Sequence, residues 1–172
     1  MSENTTQPTV STRAVGVKYG WISALAAMAI FFCPLILGQN PFKGVWDWIG
    51  YFVGVIVLFL AHKKYKDSNG FMSYGQGVTI GFWMTITSVV LSVFVMYAYL
   101  TFIDPLPLER VFNEAQVEIE KSGQADEFID MAMYWMRKLF WVITFAGSVF
   151  WGMIMTLILT IFTQKKAPEQ AF

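Results

Sequence analysis

Four long stretches of this sequence contain no Asp, Glu, Lys, Arg or His, and they limit the possible folds more than any other feature. They cover residues 19–42, 48–61, 71–103 and 139–164. A helix needs roughly 20 residues to cross a hydrocarbon core of about 30 Å, and three of the four stretches exceed that length. Because 56% of the 172 residues are hydrophobic and only 14% are charged, the composition indicates an integral membrane protein.

The second stretch is short, and it reaches a spanning length only if the span begins at Gly44. That choice leaves the carboxylate of Asp47 at the membrane interface, beside Trp46 and Trp48. The first stretch follows a polar leader and lacks an Ala-x-Ala exit, so we expect it to remain as a span. The sequence therefore predicts an all-α membrane protein with four transmembrane helices in a bundle.

The predicted domain organisation is simple. A polar leader, expected to be disordered, precedes a single membrane domain, and a short tail follows it. The leader covers residues 1–12, the membrane domain 13–165 and the tail 166–172. The four predicted spans are residues 18–38, 44–61, 77–103 and 139–163.

The stretch "GFMSYGQG", residues 70–77, leads into the third span. The third uncharged stretch would form a helix of about 50 Å, so part of it must lie outside the hydrocarbon core. Gly70, Gly75 and Gly77 make a poor helix start. The sequence therefore predicts an interfacial turn at this position, with the helix proper beginning near Gly77.

The distribution of basic residues predicts that both termini are cytoplasmic. Four spans place seven Lys and Arg residues on the side of the termini and five on the other side, which also carries nine of the 12 acidic residues. The short loop "HKKYK" is the kind to which the positive-inside rule applies best, whereas Arg137 and Lys138 oppose the assignment. The basic residues on the side of the termini are Arg13, Lys18, Lys63, Lys64, Lys66, Lys165 and Lys166.

The segment between the third and fourth spans, residues 104–138, carries a helical pattern. One apolar stripe consists of Leu108, Val111, Phe112, Ala115 and Ile119. After a break at "KSGQ", a second consists of Phe128, Ala132, Trp135 and Leu139 and continues into the fourth span. These stripes predict an extracytoplasmic amphipathic helical hairpin whose apolar faces meet each other, the membrane surface or a partner.

Small residues at a spacing of four occur in every predicted span. In lipid, helices associate largely through the close packing of such residues. The rows therefore predict a compact bundle within one chain, or contact with another membrane protein or a second copy of this chain. The predicted helix-packing residues are Gly50, Gly54, Gly77, Gly81, Ser148 and Gly152.

Little in the spans suggests an enzyme or an ion-coupled transporter. Their cores hold no ionisable side chain, which ion coupling usually requires. One His and one Cys do not make a metal cluster, and His62 falls in the basic loop, where a solvated side chain is expected. We predict no catalytic residue, metal or cofactor. Six polar residues either bond within their helices or line a thin polar path: Gln76, Thr79, Thr87, Ser88, Ser92 and Thr144.

Three segments carry a resemblance to a known family: "KYGWISALAA" at 18–27, "HKKYKDSNGFMSYGQGVTIGF" at 62–82 and "MRKLFW" at 136–141. The chain resembles a family of small inner-membrane proteins, mostly from Bacteroidota, that is grouped only as a domain of unknown function with four predicted helices. The resemblance covers approximately residues 12–165. It implies an architecture and a bacterial inner-membrane location, but no reaction, ligand or catalytic residue.

Two functions remain as the main hypotheses. The first is a non-enzymatic scaffold or accessory subunit whose hairpin meets a membrane-protein partner. The alternative is a small homo-oligomeric transporter or channel for a neutral or apolar solute, with Thr85 and Ser88 on its path. An enzyme would have to use acidic residues of the hairpin, such as Glu114, Glu118 and Asp126. The basic residues predict contact with membrane lipids, and we expect no nucleic acid as a partner.

Overall fold

The computed structural model describes residues 10–42 and 44–165, apart from the side chain of Asp47, and shows five helices within them. The predicted tail at 166–172 and most of the predicted leader at 1–12 lie outside the described residues. The helices are α1, Thr12–Ile36; α2, Val45–Asn69; α3, Tyr74–Phe102; α4, Leu106–Lys121; and α5, Asp126–Thr163.

A capping box fixes the start of α3. The Ser73 hydroxyl accepts a hydrogen bond from the Gln76 amide (3.3 Å), and the Gln76 side-chain oxygen accepts one from the Ser73 amide (2.8 Å). This reciprocal pair begins α3 at Tyr74, so the glycines of "YGQG" lie inside the helix and not in the predicted turn. The turn is confined to residues 70–73, where Gly70 ends α2 with a φ of 79°.

α1 and α3 lie side by side and run in the same direction. Near their starts, a Cβ added to Gly16 would lie 2.7 Å from the Ile80 carbonyl oxygen. In the middle, the Ser88 hydroxyl donates to the Ser23 hydroxyl across 3.1 Å. Near their ends, the ring centroids of Phe32 and Tyr99 are 5.0 Å apart. The chain must therefore return between α1 and α3, and α2 is the helix that returns.

α5 runs antiparallel to α3. Gly77, near the start of α3, lies against Thr160, near the end of α5. Tyr97, near the end of α3, lies against Trp141 in the first half of α5, with ring centroids 5.3 Å apart. α3 therefore contacts α1 on one side and α5 on another.

The starts of α1 and α3 and the ends of α2 and α5 meet at one end of the bundle, which we call the closed end. The Val10 amide donates to the Asn69 side chain (3.2 Å), which donates back to the Val10 carbonyl (3.1 Å). Met72 and Lys165 exchange two backbone hydrogen bonds, at 3.0 and 2.8 Å. The buried core of this end consists of Val15, Val57, Leu58, Ala61, Tyr65, Met72, Ile80 and Met84.

α4 packs antiparallel against the first turns of α5, away from the closed end. Arg137 donates to both carboxylate oxygens of Glu109 at 3.0 Å, and its guanidinium lies 4.7 Å from the centroid of the Phe112 ring. The apolar contact between the two helices is formed by Phe112, Ile129 and Met133, together with Leu108, Ile119, Met136 and Phe140.

The face of α5 that meets α4 is not the predicted stripe. Phe128 and Trp135 of that stripe are 47% and 48% exposed, whereas Ile129 and Met133 are buried. The two sets have the same helical spacing and differ by one residue, which is a rotation of about 100° around the helix. Because α5 is apolar on both faces, spacing alone does not select the face that meets α4.

Three of the described helices, α1, α3 and α5, are long and apolar enough to cross a membrane. α5 is continuous over 38 residues, or about 57 Å, so its first turns extend beyond a hydrocarbon core of about 30 Å. α2 is not one of these three helices. The expected all-α fold is confirmed, and its three apolar helices are consistent with a membrane protein.

Candidate ligand-binding cavity

A central cavity of about 540 Å³ lies between α1, α2, α3 and α5. Leu58, Met84 and Thr156 line the part nearest to the closed end. Tyr51 and Trp151 also line the cavity and are 50% and 51% exposed, so it reaches the surface of the bundle. Its volume falls in the range of about 300–1,000 Å³ that is typical of small-molecule sites.

Glycines on α2 and α5 provide the space for this cavity. Trp46, Gly50, Gly54 and Leu58 are four residues apart, lie on one face of α2 and all line the cavity. In the described part of the chain, no atom outside the neighbouring backbone of the same helix lies within 4 Å of the position that a Cβ would take on Gly50, Gly54 or Gly147. Gly50 and Gly54, which the sequence predicted as helix-packing residues, therefore meet no helix at this level. The predicted packing residue Ser148 also lines the cavity.

α3 and α5 pack closely along another side of the cavity, through glycines that face threonines. The facing pairs are Gly77 and Thr160, Gly81 and Thr156, and Gly152 and Thr85. A Cβ on Gly77 would lie 2.5 Å from Thr160 Cγ2, and a Cβ on Gly152 would lie 2.5 Å from Thr85 Cγ2. These distances leave no room for a side chain on either glycine. The predicted packing residues Gly77 and Gly81 of α3 and Gly152 of α5 thus all lie at the interface between these two helices.

Hydroxyl groups supply most of the polar lining of the cavity. The Ser and Thr residues that line it are Ser23, Thr85, Ser88, Ser92, Thr144, Ser148 and Thr156. Among the described residues, no Asp, Glu, Lys, Arg or His lines it. The Thr156 hydroxyl is fully buried and has no hydrogen-bond partner in the described part of the chain. Because an unsatisfied buried hydroxyl costs roughly 1–3 kcal/mol, a ligand with an acceptor group would be stabilised there.

The six polar residues selected from the sequence separate into two groups. Ser88, Ser92 and Thr144 line the cavity. The other three have roles in helix formation or helix packing. Gln76 caps α3, Thr79 donates a hydrogen bond to the Gly75 carbonyl (2.8 Å), and Thr87 packs against α1. The sequence did not separate the groups, because which face of α3 meets the cavity depends on where α1 and α5 pack.

His62 of α2 joins three helices at the closed end. It is fully buried, with Nε2 3.1 Å from the Gly77 carbonyl oxygen and Nδ1 2.7 Å from the Thr163 hydroxyl. Because a carbonyl oxygen only accepts, neutral His62 carries its proton on Nε2, and Nδ1 shares the single Thr163 hydroxyl proton with the Leu159 carbonyl, which lies 2.9 Å from that hydroxyl. The prediction that the His62 side chain is solvated is therefore wrong. The available signal was helical spacing, since His62 lies four residues after Leu58 on the buried side of α2.

Burial lowers the pKa of His62 to about 4. The positive charge of Lys66 acts in the same direction, and the hydrogen bond to the Gly77 carbonyl opposes both effects. His62 follows the predicted span at 44–61 and is neutral at physiological pH. Among the described residues, no three His, Cys, Asp or Glu side chains lie close enough together to hold a metal ion.

The chain has no significant match among curated proteins or among solved structures. A family model does match, DUF4199, whose description is a protein of unknown function. The match covers residues 18–165 and so includes parts of all five helices. The resemblance to a domain of unknown function is confirmed, and the chain belongs to the DUF4199 family.

Proposed function

We propose that this protein spans the membrane four times and that its central cavity binds a neutral, largely apolar ligand. The observation that carries the proposal is a cavity of about 540 Å³ with seven Ser and Thr residues and, in the described part of the chain, no acidic or basic side chain on its walls. A charged ligand would lie there without a partner, which costs far more than burying a neutral polar group. Of the two functions considered from the sequence, this favours the one that handles a neutral or apolar solute.

The directions of the helices support four spans. α1 and α3 are parallel neighbours, and each is long and apolar enough to cross a membrane. The chain between them must return to the side on which α1 begins. α2 makes this return with 25 residues, or about 37 Å, which is enough to cross the hydrocarbon core. If α1 and α3 cross the membrane, α2 therefore crosses it as well.

For a bacterial inner-membrane protein, the charges at the two ends of the bundle support an orientation with both termini in the cytoplasm. The closed end carries Lys63, Lys64, Lys66 and Lys165, as the positive-inside rule requires of a cytoplasmic end. Arg137, which pairs with Glu109 at 3.0 Å, and Lys138 lie at the other end and oppose this orientation, but the closed end carries more basic residues. The α4–α5 hairpin would then face the extracytoplasmic side.

We expect reporter fusions to follow this orientation. A reporter that is active only in the cytoplasm should be active when fused after Phe172 and inactive when inserted at Gly123, in the exposed turn between α4 and α5. A reporter that is active only in the periplasm should give the reverse result at the two positions. The opposite pattern would invert the orientation, and the same signal at both positions would contradict four spans.

Filling the cavity should abolish ligand binding without unfolding the protein. A Cβ on Gly54 meets no atom within 4 Å, so Gly54→Phe adds a ring to the cavity with little backbone strain. We expect organic extracts of the purified wild-type protein to contain a neutral small molecule in a fixed ratio to protein, and extracts of Gly54→Phe to contain at least about tenfold less, which corresponds to about 1.4 kcal/mol of binding free energy.

The matched control is Gly75→Phe, because Gly75 is equally open but does not line the cavity. This variant should retain the ligand at the wild-type ratio. Equal retention by both variants would place the molecule outside the cavity, and an empty wild-type extract would contradict the proposed function.

A scaffold function is the second candidate, because α5 has an apolar face that α4 leaves uncovered. Phe128, Met131, Tyr134 and Trp135 on its first turns are 47% to 57% exposed. We expect a scaffold purified at its native level in a mild detergent to bring a second protein in stoichiometric amount, and Met131→Ser with Trp135→Ser to release it. Recovery of a lone or homo-oligomeric particle would favour the ligand-binding function.

A further inference from the structure

We infer that the ligand is a neutral lipid, with a diacylglycerol-like combination of long chains and a small uncharged polar group, that enters the cavity sideways from the membrane between α2 and α5. This inference rests on the proposed ligand-binding function. It concerns the route into the cavity and the chemical class of the ligand.

The gap between α2 and α5 is the first observation. At the closed end the two helices converge, since His62 Nδ1 lies 2.7 Å from the Thr163 hydroxyl. Farther from that end, Gly54 of α2 and Gly147 of α5 both line the cavity, and no atom lies within 4 Å of the Cβ position of either. The helices therefore separate where their facing residues are smallest. The wall between them is open midway along the two helices.

Both ends of the cavity are covered, which is the second observation. Towards the closed end, Leu58 and Met84 are 4% and 5% exposed and belong to the buried core. At the opposite end, the Phe42 ring lies edge-on to Phe31 and Phe140, with centroids 5.8 and 6.4 Å away. A solute arriving from water would have to displace one of these groups. A lipid arriving from the bilayer would not.

The lining indicates the class of lipid. Of the exposed residues that line the cavity, Tyr51, Ile143 and Trp151 are large and apolar and suit contact with acyl chains, and Ser148 is polar. The walls carry no described basic side chain that could pair with a phosphate, so a phospholipid headgroup would lose its hydration without compensation. The Thr156 hydroxyl, which lies beside Gly81 and has no partner in the described part of the chain, can donate to an ester carbonyl or a hydroxyl of such a lipid. A neutral lipid meets these requirements.

Photolabelling in vesicles tests both the route and the class. The full-length protein is reconstituted in phosphatidylcholine vesicles that contain a trace of diacylglycerol with a diazirine in one acyl chain. A second preparation carries the same chain on phosphatidylglycerol, and a third receives a neutral, water-soluble diazirine. Labelled residues are mapped by mass spectrometry, with Met96 and Met155 reporting the cavity and Phe94 and Phe162 reporting the outer surface.

We expect the diacylglycerol probe to label Met96 and Met155, and unlabelled diacylglycerol to compete with it. Gly54→Phe should reduce this labelling at least about tenfold, equivalent to about 1.4 kcal/mol, while Phe94 and Phe162 remain labelled as in the wild type. Gly75→Phe should change neither signal. If Gly54→Phe fails to fold, Gly147→Phe fills the same gap from α5 and should give the same result.

Three outcomes would overturn the inference, and they differ in what they leave standing. Equal cavity labelling by the phosphatidylglycerol probe would show ordinary acyl chains in the gap and contradict the neutral class. Cavity labelling by the water-soluble probe alone would contradict the lateral route and the lipid class but leave the proposed function intact. If no probe labels the cavity and no small molecule co-purifies, the proposed function fails as well.

Discussion

Replacing Gly81 with threonine is expected to destabilise the bundle by about 3 kcal/mol, the upper part of the range for overpacking a filled site. A Cβ on Gly81 would overlap the Thr156 side chain of α5, and the change forces α3 and α5 apart along the whole interface. Unfolding by sodium dodecyl sulfate in mixed micelles, followed by circular dichroism, measures the loss of free energy.

A reciprocal exchange separates the steric effect from any effect of the threonine itself. Gly81→Thr combined with Thr156→Gly moves the glycine from α3 to α5 and reproduces the arrangement already present at Thr85 and Gly152. The double variant should therefore recover most of the stability lost in Gly81→Thr, so that the two changes are strongly non-additive. Gly75→Thr is the control, because Gly75 has open space at its Cβ position.

Additive changes would contradict this description of the interface. If the double variant loses the sum of the two single losses, Gly81 and Thr156 do not face each other in the folded protein. A single Gly81→Thr variant as stable as the wild type would show that α3 and α5 are farther apart than the structure has them.

The small-residue rows show how far sequence reasoning reaches in this fold. Gly50 and Gly54 of α2 have the same spacing as Gly77 and Gly81 of α3, and both pairs predict close helix packing. In the structure the α3 pair packs against threonines, whereas the α2 pair lines a cavity. Spacing states which residues share a helix face, but it does not state which helix lies opposite. That depends on the register of all the helices together, so the cavity could not be predicted from α2 alone.

The ends of the helices were predictable to differing degrees. The break between α2 and α3 lies within the predicted turn, but the expected loop "HKKYK" belongs to the last turns of α2. The start of α3 was placed at Gly77 because glycines weaken a helix. The pattern Ser-x-x-Gln at residues 73–76 outweighs that preference, because it forms two hydrogen bonds between backbone amides and side-chain oxygens at the first turn. This capping box could have been recognised from the sequence alone. The face of α5 that contacts α4 could not be predicted in this way, because both faces carry apolar residues at helical spacing.

Acidification should destabilise the closed end through His62. The pKa of its imidazole is lowered to about 4 by burial, whereas an unfolded His titrates near 6.5. The unfolded chain therefore binds a proton that the folded chain rejects, and stability falls as the pH drops below about 6.5 until it levels off near the folded pKa. Above that window the residue is neutral in both states and contributes no pH dependence. Thermal unfolding in a mild detergent at a series of pH values measures the slope.

Other groups also titrate in acid, so the contribution of His62 must be taken as a difference. His62→Gln keeps one amide donor for the Gly77 carbonyl and one acceptor for the Thr163 hydroxyl but has no titration in this range. Its unfolding temperature should fall less steeply than that of the wild type between pH 6.5 and pH 4, and the two proteins should show parallel slopes above pH 7. Parallel slopes throughout would mean that His62 keeps its ordinary pKa, which requires contact with water. Because such contact would admit water at the closed end of the bundle, that result would also weaken the argument that ligand enters only through the membrane.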